Sequence, residues 1–249
     1  GGTEPPAGVK AERTQRQPSL PLRILCLHGG GGNRTVAAAQ VRKIASLFGK
    51  DATFEFLEGP RIYADEEVDQ LVKAHFGAGP YFGWYGVEND DRSDRKLIEK
   101  LMDPSVVFTY RECEKAIELV ASHIEASGPY DILLGFSQGA IIVTVLTAMQ
   151  LKASREQGAP PPDWLLNVLV GGIPPRDNRY IELTTEPPID FPCCLMFGKR
   201  DPFYTYGQRL RDIYVGPDVL EHERGHEFPS AADPLNVEWV ATIRARLGI

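Results

Sequence analysis

After residue 21 the sequence alternates short apolar runs with longer amphipathic stretches, and this alternation constrains the fold more than any other feature. Most of the apolar runs lack polar alternation, as strands do when a parallel sheet is covered on both faces. The pattern therefore predicts an α/β fold with a mainly parallel central sheet and helices on both faces. The predicted strands are 23–27, 53–57, 131–135, 166–171, 192–197 and 219–222, and the predicted helices are 36–48, 110–127, 138–155, 204–214 and 234–247.

The 249 residues fit one large α/β domain. Residues 1–21 are rich in proline, charge and small polar side chains, so we expect a flexible tail there and an ordered domain over 22–249. The stretch 59–104 breaks the alternation, because it holds an aromatic cluster followed by a charged run. Connections this long are usually functional or disordered, and the aromatic side chains favour a function. We expect this stretch to form a small cap or pocket wall over the carboxyl edge of the sheet.

Composition limits the partners and the compartment. The net charge of −7 disfavours nucleic acid and anionic membrane as main partners. No apolar stretch is long enough for a membrane span, and the N-terminus lacks the apolar core of a signal peptide. The four cysteines lack zinc or redox spacing, so we interpret them as reduced, buried side chains of a cytoplasmic protein. The sequence predicts neither a metal site nor a cofactor.

The sequence GFSQG occupies positions 135–139, between a predicted strand and a predicted helix. In this context G-x-S-x-G is typical of a nucleophile elbow, whose tight turn around the serine needs neighbours with almost no side chain. The helix that follows directs its N–H groups and positive dipole end at developing negative charge. We therefore predict that Ser137 is a nucleophile. The alternative is a serine that caps an ordinary buried helix.

A serine hydroxyl is a poor nucleophile until a base accepts its proton. Asp201 and His226 each follow a predicted strand, where open α/β sheets place their sites. We predict that His226 acts as general base and then as acid, and that Asp201 holds its tautomer. His222 is the alternative base, but its strand position favours a structural or solvated histidine. Asp177 and Asp190 are alternative acids in less favourable loop positions.

An oxyanion hole needs two backbone N–H donors. One is expected from Gln138, the residue after the predicted nucleophile. The other is expected from the glycine-rich run HGGGG at 28–32, with Gly30 as our choice and Gly29 or Gly31 as alternatives. We expect His28 to brace this loop. A phosphate-binding loop is the competing interpretation, but it lacks both the Gly-Lys-Ser/Thr sequence and the dinucleotide glycine spacing.

Several apolar side chains are candidates for an acyl pocket near the same edge of the sheet. Ligand sites are mostly apolar with a few polar groups, so these residues could line one. Ordinary core packing explains the same residues equally well, and the sequence favours neither interpretation. The candidates are Tyr81, Phe82, Trp84, Tyr85, Ile173 and Phe203.

Further motifs surround these candidates and are specific in combination. They are Leu27-His28-Gly29 with Asn33 and Gln40, Glu58-Gly59-Pro60, Trp84, Gly128-Pro129-Tyr130-Asp131 leading into GFSQG, Gly198 with Asp201, and Gly225-His226 with Pro229. Together they resemble the FSH family of serine hydrolases over nearly all the chain after residue 21. Two features depart from that family: the loop after position 29 is more glycine-rich, and the charged run 88–100 is longer, so substrate preference is not carried over.

The resemblance implies an α/β-hydrolase fold and ester hydrolysis by a triad of Ser137, Asp201 and His226. We expect hydrolysis of small-molecule carboxylic esters with medium or long acyl chains through an acyl-serine intermediate. A thioesterase that releases acyl or polyketide chains from a carrier protein or coenzyme A would use the same residues. A peptidase is less expected, because nothing indicates a peptide cleft. A non-catalytic protein that binds a ligand in the same pocket is the remaining alternative.

Overall fold

A computed structural model describes residues 16–249 of the chain. Strands and helices alternate along most of its length, and short 3₁₀ turns lie at Gly49–Asp51 and Asp65–Glu67. In chain order the elements are β1 (Leu22–Leu27), α1 (Arg34–Phe48), β2 (Ala52–Leu57), β3 (Arg61–Ile62), α2 (Gln70–Phe76), β4 (Phe82–Gly83), β5 (Gly86–Asn89), α3 (Leu97–Met102), β6 (Phe108–Arg111), α4 (Cys113–Ser127), β7 (Ile132–Phe136), α5 (Gln138–Gln157), β8 (Leu166–Val170), α6 (Asn178–Thr185), β9 (Cys193–Gly198), α7 (Tyr204–Gly207), α8 (Leu210–Ile213), β10 (Asp218–His222) and α9 (Leu235–Leu247).

Six parallel strands form the central sheet in the order β10-β9-β8-β7-β1-β2. Successive side chains of β1 enter opposite layers: Cys26 packs with α1 and α9, whereas Leu25 and Leu27 pack with α4 and α5. Both faces of the sheet are therefore covered, which explains why its strands are continuous apolar runs. The predicted α/β class with a parallel sheet is confirmed.

The strand order reverses between β1 and β7. From β1 the chain passes outward to β2 on one side, and β7 to β10 then follow in order on the other side. In an open parallel sheet a ligand crevice forms at such a reversal, beyond the carboxyl ends of the strands. The glycine-rich loop after β1 and Ser137 after β7 both lie at this point.

The segment 59–104 contains short elements that the sequence pattern did not predict. β3 pairs antiparallel with β4, β5 pairs antiparallel with β6, and α2 and α3 lie between these strands. A strand of two residues is too short to show a period of two, so its sequence carries no pattern to detect. The sequence also missed β6 and the short helix α6. The predicted helix 204–214 is divided into α7 and α8.

Residues 16–21, the end of the predicted flexible tail, are held against the domain. Arg16 donates from Nη1 to Asp131 Oδ1 at 2.7 Å and from Nη2 to the Tyr130 carbonyl at 2.7 Å. The backbone N–H of Ser19 donates to the same Asp131 oxygen at 3.0 Å. Because the side chain of Asp131 is fully buried, its charge needs such donors, and the preceding segment supplies them. The rest of the predicted tail, 1–15, lies outside the described residues.

Burial of Asp131 by itself raises the pKa of its carboxyl, but hydrogen bonds from Ser19, the Arg23 backbone and Arg16 together lower that pKa below its ordinary value. A carboxyl group with a depressed folded-state pKa stabilises the fold above its unfolded-state pKa, and this stabilisation is lost as the pH falls through the folded value.

We predict that Asp131→Asn lowers the free energy of unfolding at neutral pH by about 1–3 kcal/mol. Urea unfolding should show the difference from wild type shrinking below about pH 4.

The matched control for this prediction is Asp163→Asn. The Asp163 carboxylate is mostly exposed and lies 4.0 Å from Arg16, so its removal should change the unfolding free energy by no more than about 0.5 kcal/mol. Equal losses in the two variants would show that the buried carboxylate does not hold this segment.

Candidate active site

Ser137 lies on a strained turn between β7 and α5. Its backbone has φ 52° and ψ −114°, a region that a residue with a side chain enters at a cost of about 1–3 kcal/mol. The surroundings hold it there. The Ser137 N–H donates to the carbonyl of Val170 at 3.0 Å, and its carbonyl accepts from the N–H of Ala140 at 3.0 Å. Sheet and helix therefore fix the turn from both sides.

The two glycines of the GFSQG motif are required by close contacts. A Cβ on Gly135 would lie 2.6 Å from the Cα of Ala140, and one on Gly139 would collide with the carbonyl oxygen of Leu27. The first contact lets α5 start directly over β7, and the second lets it approach the end of β1. The spacing of the motif thus follows from how closely the helix packs on the sheet.

His226 connects Ser137 to Asp201. Its Nε2 lies 2.9 Å from Ser137 Oγ, and its Nδ1 lies 2.6 Å from Asp201 Oδ2. Asp201 is buried, and its second oxygen accepts from the N–H of Phe203 at 2.7 Å. A carboxylate beside Nδ1 fixes the proton on that nitrogen, which leaves Nε2 with the lone pair that can accept the serine proton. The structure thus brings together the three residues selected from the sequence.

The alternative acids and base lie apart from this arrangement. Asp177 caps the N-terminus of α6, and Asp190 is exposed. His222 is buried at the end of β10, and its Nδ1 accepts a backbone N–H at 3.2 Å. Desolvation by burial lowers the pKa of His222, which favours its neutral form. Its position supports the loop that carries His226.

Two residues that line the same cavity as Ser137 are candidates for the backbone donors of an oxyanion hole. They are Gly30 and Gln138, and within residues 16–249 neither N–H donates to a protein acceptor. The N–H of Gly31 is used elsewhere, since it donates to the Phe82 carbonyl at 2.9 Å. Of the glycines proposed as donors, Gly30 therefore suits an oxyanion better than Gly31.

His28 braces the loop that contains Gly30. Its Nε2 accepts from the N–H of Gly59 at 3.0 Å, and its Nδ1 lies 2.6 Å from the carbonyl oxygen of Gly29. Because Nε2 is an acceptor, the proton is on Nδ1 and the ring is neutral. Burial agrees with this, because desolvation lowers the pKa of His28. The histidine therefore joins the loop after β1 to the start of the segment 59–104.

Three of the six predicted pocket residues do not line the cavity. Trp84 is fully buried, and its indole N–H donates to the carbonyl of His28 at 2.7 Å. Phe82 contacts the glycine-rich loop through its backbone, donating at 2.7 Å and accepting at 2.9 Å. Tyr81 is buried against the first turn of α1. These residues pack behind the glycine-rich loop that follows β1. Their residue types are the same in a core as in a pocket wall, so the sequence could not separate the two roles.

The cavity beside Ser137 has a volume of about 330 Å³ and a largely apolar lining. The other three predicted pocket residues line it, namely Tyr85, Ile173 and Phe203. The sequence missed most of the remaining wall, although the spacing of Leu97 and Leu101 within the charged run was a usable helical signal. The missed lining residues are Tyr63, Val87, Leu97, Leu101, Phe108, Tyr110 and Ile141.

A polar groove of about 610 Å³ adjoins the cavity. The cavity and the groove share a boundary formed by Tyr63, Tyr85, Val87 and Gln138. The groove walls carry two ion pairs, Arg61 with Glu67 and Arg111 with Glu88. The site therefore has an apolar side and a polar side, which meet at Gln138.

Neither a metal cluster nor a membrane helix is found in the described part of the chain. Within residues 16–249, no group of three or more His, Cys, Asp or Glu side chains is arranged to hold a metal ion. No helix in that range is long and apolar enough to cross a bilayer.

Comparison with known proteins extends these observations. Hydrolase phiM of a fungal species (strain ATCC 74256) is 31% identical over 220 residues, which cover 83% of this chain and 86% of the relative. Human esterase OVCA2 is 28% identical over 218 residues, which cover 85% of this chain and 91% of the relative. The crystal structure of esterase PE8 superposes with a TM-score of 0.58 at 17% identity, covering 91% of this chain and 93% of that chain.

The central parallel sheet and the superposition on esterase PE8 define an α/β-hydrolase fold. The family model described as serine hydrolase (FSH1) matches residues 19–237, and the chain belongs to that family. The resemblance inferred from the sequence motifs is therefore confirmed.

Trp84 packs behind the glycine-rich loop, and we base a prediction on this position. Trp84→Phe keeps an aromatic ring but leaves the buried carbonyl of His28 without its donor, so the free energy of unfolding should fall by about 1–3 kcal/mol. The preference among acyl chain lengths should stay unchanged, because Trp84 does not line the cavity. Denaturant unfolding and a panel of p-nitrophenyl esters measure the two quantities.

Phe203→Ala is the contrasting variant, because Phe203 lines the cavity. It should change the chain-length preference. Unchanged stability together with an altered preference in Trp84→Phe would contradict the placement of the indole.

Proposed function

We propose that the protein hydrolyses carboxylic esters with an apolar acyl chain through an acyl intermediate on Ser137. The observation that carries this proposal is the single imidazole of His226, which lies 2.9 Å from Ser137 Oγ and 2.6 Å from Asp201 Oδ2 beside an apolar cavity. The N–H groups of Gly30 and Gln138, which have no protein acceptor among residues 16–249, supply the donors that acyl transfer requires.

In the acylation step, His226 Nε2 accepts the proton as Ser137 Oγ attacks the carbonyl carbon of the ester. The carbonyl oxygen becomes an oxyanion that accepts hydrogen bonds from the N–H groups of Gly30 and Gln138, the latter at the positive end of α5. Asp201 stabilises the imidazolium through Nδ1–H. The Nε2 proton then passes to the leaving oxygen as the carbon–oxygen bond breaks, and the alcohol departs.

In the deacylation step, a water molecule takes the place of the alcohol. His226 Nε2 accepts a proton from that water as its oxygen attacks the acyl carbon. The second oxyanion uses the same two N–H donors. Collapse of this intermediate breaks the bond to Ser137 Oγ, the serine regains a proton from Nε2, and the carboxylic acid leaves.

The difference between the two sides of the site supports separate binding places for the acyl chain and the leaving group of the substrate. The apolar cavity suits the acyl chain, and the adjoining polar groove suits the leaving group. Ligand pockets commonly have volumes of roughly 300–1,000 Å³. The cavity of about 330 Å³ is at the small end, so we propose that the preferred acyl chains are of medium length.

The leaving group is better explained as a neutral alcohol than as coenzyme A. Phosphate groups bind where arginine or lysine can pair with them. In the groove, Arg61 already pairs with Glu67 and Arg111 with Glu88. We further propose a cytoplasmic location, which the four free, buried cysteines of the described chain support.

Intact-mass spectrometry after treatment with a fluorophosphonate tests the proposed nucleophile. Wild type should gain one adduct, and Ser137→Ala should gain none and lose about 10⁴–10⁶-fold in kcat. Asp201→Asn should keep the fold and lose about 10⁴-fold, because the histidine tautomer is no longer fixed. Ser46→Ala, on the exposed face of α1, is the control and should label like wild type.

The same preparation separates the ester and thioester alternatives. Medium-chain p-nitrophenyl and glyceryl esters should be hydrolysed with a higher kcat/KM than the matching acyl-coenzyme A. A higher value with acyl-coenzyme A would favour a thioesterase, and a well-folded protein with neither adduct nor turnover would favour a ligand-binding role.

A further inference from the structure

Arg176 is a buried cation beside the acyl cavity. It lies in the loop between β8 and α6, and only 7% of its surface is exposed. Its guanidinium donates to three backbone carbonyl oxygens: Nε to Leu101 at 3.2 Å, and Nη2 to Asp103 at 2.8 Å and to Val106 at 2.7 Å. A planar group with several fixed donors is suited to holding such a set of carbonyls together.

The three carbonyls belong to the last turn of α3 and to the connection from α3 to β6, which together form one wall of the acyl cavity. Leu101 and Phe108 line the cavity from the two ends of this connection. The guanidinium of Arg176 lies 5.1 Å from the centre of the Phe108 ring, and its backbone N–H donates to Tyr110 Oη at 2.8 Å. Tyr110 is a third lining residue. Arg176 thus contacts this wall from behind at three of its lining residues.

A second groove, of about 560 Å³, lies on the other side of this wall. Leu101 lines both the acyl cavity and the second groove, whereas Arg176 lines only the groove. The wall itself is an apolar cluster in which Leu101, Phe108 and Tyr206 pack together. Leu101, with Arg176 tying its backbone in place, therefore separates the two spaces, and we refer to this pair as the partition.

We propose that Arg176 is a specificity-determining residue, which limits the length of the acyl chain by holding the partition closed. The inference rests on the proposed function. An acyl chain that fills the cavity meets Leu101, whose backbone cannot withdraw while the arginine holds the α3–β6 connection. A shorter side chain at position 176 releases the connection and opens the cavity into the second groove, where additional methylene groups are buried. Arg176 contacts none of the reacting groups, so it acts through Leu101.

Steady-state kinetics with p-nitrophenyl butyrate, octanoate and palmitate test the proposal. Burial of each additional methylene group is worth about fourfold in kcat/KM. The ratio of kcat/KM for palmitate to that for octanoate should therefore rise at least about tenfold in Arg176→Ala. In Arg176→Lys the rise should be smaller, because an ammonium group can hold fewer of the three carbonyls.

Arg209→Ala is the matched control. Arg209 lines the same second groove and lies 5.2 Å from the Tyr206 ring, but its side chain is exposed. Its removal should leave the palmitate-to-octanoate ratio unchanged. Leu101→Ala removes the other member of the partition and should raise the ratio, so it tests the proposal if Arg176→Ala fails to fold.

Two results would contradict the proposal that the partition limits the length of the acyl chain. One is a folded Arg176→Ala or Leu101→Ala with an unchanged ratio. The other is an equal loss of activity on all three esters, which indicates a collapsed wall. Failure of the proposed function gives a different result, since wild type would then take up no fluorophosphonate and hydrolyse none of the esters. If wild type is active and labelled but the palmitate-to-octanoate ratio is unchanged in the variants, only the role of Arg176 is refuted.

Discussion

The site depends on how closely α5 packs on the ends of β1 and β7. A Cβ at Gly139 would collide with the Leu27 carbonyl, so only glycine permits this approach. The short path from β7 into the helix forces Ser137 to a φ of 52°, and hydrogen bonds to β8 and α5 hold it there. The strained turn lies where the strand order reverses, and this brings the proposed nucleophile beside the loop after β1.

The segment 59–104 contributes to both parts of the proposed mechanism. From behind, it holds the glycine-rich loop that carries Gly30: the N–H of Gly59 donates to His28, and the indole of Trp84 donates to the His28 carbonyl. From the front it supplies lining residues of the cavity, including Leu101 of α3. Arg176, which follows β8, then ties the end of this segment to the sheet. The same segment therefore holds the loop with the proposed donor Gly30 and lines the proposed acyl site.

The sequence predicted the sheet, the elbow and the residues around it because their signals are local or topological. GFSQG between a strand and a helix specifies a turn, and the carboxyl ends of parallel strands bring Asp201 and His226 to one edge. The direction in which an aromatic side chain points has no such signal, so Trp84 was predicted to line the pocket and lies behind the loop. Arg176 was missed because its partners are backbone carbonyls more than 60 positions away. The order of residues 16–21 depends likewise on a distant buried charge, that of Asp131.

The central claim is that Ser137 attacks an acyl carbon whose oxygen is held by the N–H groups of Gly30 and Gln138. A crystal structure of the protein inhibited by a medium-chain alkyl fluorophosphonate tests this most directly. The account predicts a bond from Ser137 Oγ to phosphorus, a phosphonyl oxygen within hydrogen-bond distance of both N–H groups, and an alkyl chain that ends against Leu101. Phosphorus on another residue, or a phosphonyl oxygen that contacts neither N–H, would contradict it.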